Sequence, residues 1–147
     1  MYGPCLTVDD KFRLQKIQYS GVRFISHVPF REHIPPFIRE LNMLKLNERR
    51  FIHYCSMLRS VLCNQSPLYL YERLEFRNQV HDRHLRGVYS LTIPSHSSAS
   101  YQTCFSYLAP YLYNRLGVFF SLSEATLKKK LKFAILSGDM NIDLKRF

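Results

Sequence analysis

The stretch NERRFIHYCSMLRSVLC (residues 47–63) decides the fold class. Phe51, Cys55, Leu58 and Leu62 recur at i, i+4, i+7 and i+11, which puts them on one face of a helix. Asn47 precedes the run and reads as its N-cap, so the spacing predicts a helix over residues 48–63. The Asn-Gln-Ser-Pro run at 64–67 ends it, and a further turn or two is expected from Leu68 to about Arg77.

Working outward, the N-terminal segment also reads as helix. Asp9 or Asp10 can cap a helix that begins near Lys11. Leu14, Ile17, Gly21, Phe24 and Ile25 then recur at helical spacing and form its expected core face, with Arg13, Lys16 and Arg23 on a neighbouring face. Pro29, Pro35 and Pro36 break the chain, and a short helix is expected over residues 36–43, with Pro36 in its first turn. Near the C-terminus, Ser121 and Glu124 match a capping box. Leu127, Leu131, Ala134 and Ile135 then form an apolar stripe that Gly138 stops. Lys128, Lys129, Lys130 and Lys132 fall mostly off that stripe.

After Gly87 the period shortens. Residues 89–93 alternate, as do residues 101–107, and the run between them is rich in Ser and Pro. That pattern predicts a β-hairpin with a long loop near residues 89–107. The expected architecture is mainly α: a small helical domain over residues 1–138 with one β-hairpin, and a flexible tail over 139–147.

The composition fits this reading. The chain has 147 residues, 46% of them hydrophobic, enough for one modest core. Its longest apolar runs are too short to cross a bilayer, and the first dozen residues lack the basic start and apolar stretch of a signal peptide. A nuclear or cytoplasmic location is therefore expected, and neither a membrane nor secretion. In a reducing compartment Cys5, Cys55, Cys63 and Cys104 are expected to be free thiols. No Cys/His spacing matches a zinc site, so neither metal nor cofactor is expected.

The net charge is +10, with a pI near 9.7, which favours polyanionic partners. Residues 1–60 carry net +5, residues 61–100 net +1 and residues 101–147 net +4. Candidate phosphate contacts are Arg13, Lys16 and Arg23 in the first helix, Arg77, Arg83 and Arg86 in the mixed basic and aromatic stretch of 73–86, and Lys128, Lys129, Lys130 and Lys132 in the last helix. Each group also has a plainer reading as solvated surface, because exposed ion pairs and charged helix backs are common. Most of the ten tyrosines and eleven phenylalanines are expected to pack in the core.

Catalytic constellations are weak. The adjacent pair Asp9-Asp10 lacks the upstream aromatic residue and the following strand of a polymerase carboxylate hairpin, and it reads as a helix cap. His53 and Cys55 stand at i and i+2, which points them to different helix faces. A non-enzymatic chain is expected.

Several segments, taken in order, resemble the post-polymerase region of LINE-type (non-LTR) retrotransposon reverse transcriptases. They are Tyr2-Gly3 ahead of the Leu14-Gln15-x-Ile17-Gln18 helix, His33-Ile34-x-Pro36, Ser66-Pro67-x-Tyr69-Leu70, His81-x-Arg83-x-x-Arg86, Leu91-x-Ile93-Pro94, Ser106-Tyr107-x-Ala109-Pro110, Tyr113-Asn114-x-Leu116 and Leu127-Lys128-x-Lys130-Leu131. The likeness runs from about Tyr2 to Leu136 and rests on the order of these pieces. Family members usually carry Trp-Asn-x-Leu-Pro where this chain has Tyr113-Asn114-Arg115-Leu116-Gly117. The resemblance implies a truncated element that lacks the polymerase core, either a decayed, inert fragment or one recruited to a new role. It would act by salt-dependent binding of RNA or DNA, or through a protein partner or a second copy docked on apolar surface that once faced the core.

Overall fold

The computed structural model describes residues 6–80, 89–96, 98–140 and 142. Its helices are α1 (Val8–Ser26), α2 (Pro35–Glu40), α3 (Leu46–Asn64), α4 (Leu68–Tyr71), α5 (Arg77–Val80), α6 (Phe105–Phe120) and α7 (Glu124–Ser137), with a short 3-10 turn at Ser100–Thr103. The architecture is mainly α, and no β-strand occurs among the described residues. The chain divides into two compact units: residues 1–52 with 131–147, and residues 53–130.

In the first unit, Thr7 caps α1 in place of Asp9 or Asp10. Its Oγ1 accepts from the Asp10 N–H at 3.2 Å and its hydroxyl donates to Asp10 Oδ2 at 2.6 Å. The two aspartates instead occupy the first turn, where the helix dipole favours negative charge. At the other end His27 takes a left-handed conformation (φ 49°), and the Val28 N–H returns to Arg23 O.

The face of α1 expected to enter the core does not do so. Ile17 is 68% exposed, Phe24 83% and Ile25 59%, while the buried residue of the helix is Val22. Two glutamines explain the rotation. Gln15 and Gln18 bond to each other at 2.7 Å, Gln18 Nε2 donates to Leu44 O at 2.8 Å, and Gln15 Oε1 accepts from the Leu46 N–H at 3.2 Å. Leu44 is buried, so leaving the backbone of this connection unpaired would be costly. Turning the glutamines inward brings Tyr19 and Val22 with them. Val22, Ile34 and Ile38 then form a core cluster against which Tyr19, Val28, Phe37 and Met43 pack. Helix α2 is shorter than expected because Asn42 turns left-handed (φ 53°) and the Met43 N–H closes on Ile38 O.

Helix α3 starts earlier than expected. Glu48 caps it from within by accepting from the Lys45 N–H at 2.7 Å, and Asn47 bonds the Arg50 side chain instead. Phe51, Cys55 and Leu58 are fully buried as the spacing predicts, and Val61 rather than Leu62 continues the buried face.

In the second unit the expected hairpin at 89–107 does not form among the described residues. Leu91 pairs with Phe76 in a single antiparallel bridge, flanked by Arg77 N–H to Ser90 O (3.0 Å) and Thr92 N–H to Glu75 O (2.8 Å). Residues 101–107 are not its partner strand, because Tyr101 closes the 3-10 turn and Phe105 begins α6. A helical period competed with the alternation and won: Leu108, Ala109, Leu112, Leu116 and Phe120 repeat at i, i+1, i+4, i+8 and i+12 and are all buried. Pro110 sits inside α6, and Leu116 departs from helical geometry (φ −115°, ψ 17°) just before Gly117. Asn114 on α6 grips Leu91: the Leu91 N–H donates to Asn114 Oδ1 at 2.8 Å, and Asn114 Nδ2 donates to Leu91 O at 2.9 Å. The neighbouring aromatics pack edge to face and stacked, as in Phe76–Tyr113 (5.9 Å) and Tyr113–Phe120 (5.7 Å).

The expected cap of the last helix is also displaced. Ser123 rather than Ser121 receives the Thr126 N–H (3.4 Å), and Ser121 bonds Val118 O instead. Leu127 and Leu131 of α7 are fully buried, and Gly138 (φ 81°) ends the helix as expected. Of the expected tail, residues 139, 140 and 142 are described. The Asp139 N–H returns to Ala134 O, so this residue belongs to the helix stop.

Candidate nucleic-acid interface

Helix α1 presents a second repeat beside its exposed apolar stripe. Phe12, Lys16, Tyr19 and Arg23 recur at i, i+4, i+7 and i+11 and so share one face. Lys16 Nζ stands 4.6 Å from the centre of the Phe12 ring. The Arg23 guanidinium stands 5.1 Å from the centre of Phe30, which the left-handed turn at His27 brings back beside the helix. Arg23 is also held by Glu32 O, which accepts from its Nη2 at 3.3 Å, while its buried Nε has no partner among the described residues. Such cation–ring contacts fix two long side chains that would otherwise lose considerable rotamer entropy on binding a ligand.

These side chains line a groove of about 370 Å³ with Gln15 and Ser20. Phe12 is 58% exposed and Phe30 85%. The two cations are seven residues apart along the helix, roughly 10 Å. The groove therefore alternates ring, cation, ring, cation and ring, a pattern suited to stacked bases and to the phosphates between them.

Of the residues expected to bind nucleic acid, Lys16 and Arg23 share this groove. Arg13 does not line it; it is exposed and bridges Asp9 at 3.0 Å. Arg77 is exposed at the start of α5, and its backbone N–H is committed to Ser90 O. Arg83 and Arg86 lie outside the described residues. On α7 the four lysines are not equivalent. Lys128 bonds Glu124 and holds that carboxyl below the usual carboxylate range, and Lys132 is half-buried. Lys129 and Lys130 are exposed and make no ion pair among the described residues.

Phe12, Tyr19 and Phe30 were not singled out from the sequence. The first two carry a readable signal, since they extend the Lys16/Arg23 repeat. Phe30 carries none, because its approach depends on the chain reversal at His27.

Among the described residues the remaining reactive groups do not gather into a site. Cys55 is fully buried, and burial pushes its thiol up to about 12, so it supplies almost no thiolate at neutral pH. His53, two residues away, is exposed. No cluster of His, Cys, Asp and Glu able to hold a metal occurs among the described residues, and none of the described helices is long and apolar enough to cross a membrane. No protein-family model, curated protein or solved structure matches this chain.

Proposed function

We propose that this chain is a non-enzymatic, retrotransposon-derived accessory module that binds RNA or single-stranded DNA without sequence preference. The α1 groove is the observation that carries the reading, because it joins exposed aromatic rings to fixed cations on one helix face. The net charge of +10 and the exposed Lys129 and Lys130 support it by favouring any polyanion. The ordered resemblance to the post-polymerase region of LINE-type reverse transcriptases supports it independently.

Fluorescence anisotropy with a labelled oligouridylate tests this. The chain should bind at low salt and weaken steeply as salt rises. Lys16→Gln with Arg23→Gln should flatten the log–log salt slope by about 1.4, at about 0.7 per phosphate contact on a single strand. Phe30→Ala should weaken binding by about tenfold while sparing the fold, since base stacking contributes about 1–3 kcal/mol and the ring is mostly exposed. A parent chain that binds no oligonucleotide at low salt would refute the proposal.

One observation favours a second reading, a protein-interaction module. Leu14, Ile17, Phe24 and Ile25 form an exposed apolar stripe along α1 beside the groove. If a second copy covers it, sedimentation should show concentration-dependent dimers, and Ile17→Gln with Phe24→Gln should return the chain to monomer. A parent that stays monomeric at millimolar concentration would count against self-association.

A further inference from the structure

A cavity of about 410 Å³ adjoins the α1 groove, and Tyr19 and Arg23 line both. The rest of its wall is the turn between α1 and α2: Arg31, Glu32, His33, Ile34 and Pro35. Its chemistry differs from that of the groove. The groove offers three rings and two cations, whereas the cavity offers one ring, two guanidinium groups and an imidazole. Guanidinium forks match phosphate oxygens in geometry as well as in charge. Ile34 belongs to the core cluster and Tyr19 packs against it, so this part of the wall is anchored. The Glu32 carboxylate opposes an anion, yet Glu32 also holds Arg23 through its backbone oxygen. With Arg23 and Arg31 charged, the wall keeps a positive balance.

We infer that this cavity takes a phosphate monoester, the terminal phosphate of the strand whose bases lie in the neighbouring groove. The inference rests on the nucleic-acid reading above and adds a substrate class to it. The volume admits a phosphate with its sugar, and the exposed Arg31 and His33 leave the site open to an entering strand end. A terminal monoester carries close to two negative charges near neutral pH, against one for an internal diester, so it gains most from two guanidinium groups. Arg23 serves both compartments and sets the register between the last base and the terminal phosphate.

The test compares matched oligouridylates that end in phosphate or in hydroxyl, for each end of the strand, by anisotropy competition on the full chain. One phosphate-ended strand should bind about tenfold more tightly than its hydroxyl-ended twin, the size expected for a charge-assisted contact. Arg31→Gln with His33→Gln should abolish that advantage and leave hydroxyl-ended binding unchanged. Titration with inorganic phosphate, followed by amide chemical shifts, probes the cavity without a strand and should perturb residues 31–34 in the parent and not in the double variant. Equal affinity for both ends, with binding retained, would overturn the inference and leave the nucleic-acid reading standing. Absence of strand binding would refute that reading, and the cavity would then stand or fall on the inorganic phosphate titration. Shifts elsewhere, or none, would overturn the cavity assignment.

Discussion

Replacing Leu131 with Asp is expected to destabilise the chain by about 4 kcal/mol or more, enough to unfold a domain of ordinary stability. Leu131 is fully buried on α7, as is Leu127 one turn earlier. Losing a buried leucine side chain costs about 2–5 kcal/mol through lost transfer energy and the space left behind. The carboxylate adds a desolvation penalty and would be driven to protonate, so the damage should ease somewhat at acidic pH. Replacing Lys128, Lys129, Lys130 and Lys132 with Gln changes the same helix on its polar side. Gln keeps good helix propensity, so the melting temperature should barely move. Affinity for RNA should fall, chiefly through Lys129 and Lys130, because Lys128 already pairs with Glu124 and Lys132 is half-buried. Urea unfolding and oligonucleotide binding on the two variants separate the roles. A stable L131D chain would mean that α7 does not pack as described. Unchanged RNA affinity in the lysine variant would make α7 a solvated helix back with no part in binding.

Asn114→Ala should cost about 2–5 kcal/mol, because it strips both partners from the backbone of Leu91, a residue with no exposure. A buried peptide group left without its hydrogen bond costs about 1–3 kcal/mol, and here a donor and an acceptor are orphaned together. Asn114→Asp separates the two. It keeps the acceptor for the Leu91 N–H but sets a carboxylate against the Leu91 carbonyl, so it should remain well below wild type in stability. Asn64→Ala is the control, since its amide bonds only the Ser60 hydroxyl on an exposed helix end. Thermal unfolding should rank the parent and Asn64→Ala together, with both Asn114 variants far below. An Asn114→Ala chain within about 0.5 kcal/mol of the parent, the range of ordinary surface changes, would mean that Leu91 is held by its packing and its bridge to Phe76 alone.

The alkaline limit of stability should follow from burial in α3. The Cys55 thiol is pushed up from 9.0 to about 12, and burial likewise raises the Tyr54 hydroxyl. For an acid whose folded value is raised, the stabilisation is complete below the unfolded value and is lost as pH rises toward the folded one. Unfolding should therefore become easier between about pH 9 and 12. Cys55→Ala should flatten that dependence.

The sequence by itself determined what short-range chemistry determines. The period of Phe51, Cys55 and Leu58 and that of Leu127 and Leu131 put these residues in the interior, and they are buried. Gly138 stopped α7 because a left-handed residue costs glycine least. The mainly helical class followed from such runs. Tertiary structure decided wherever two local patterns competed or a backbone group needed a distant partner. On α1 the apolar stripe of Ile17 and Phe24 lost the core face to Gln15 and Gln18, because those amides satisfy the backbone of buried Leu44 and half-buried Leu46. The alternating residues 89–93 found their partner at Phe76 and Asn114, and the helical period of Leu108 and Leu112 claimed the segment expected to pair with them. The candidate site divides in the same way. Lys16 and Arg23 were legible as neighbours on a helix, whereas Phe30 joins them only through the reversal at His27 and the Glu32 oxygen that holds Arg23. Helical spacing reaches a few residues along a chain, and a hydrogen bond or a ring contact between distant segments leaves no mark on that spacing.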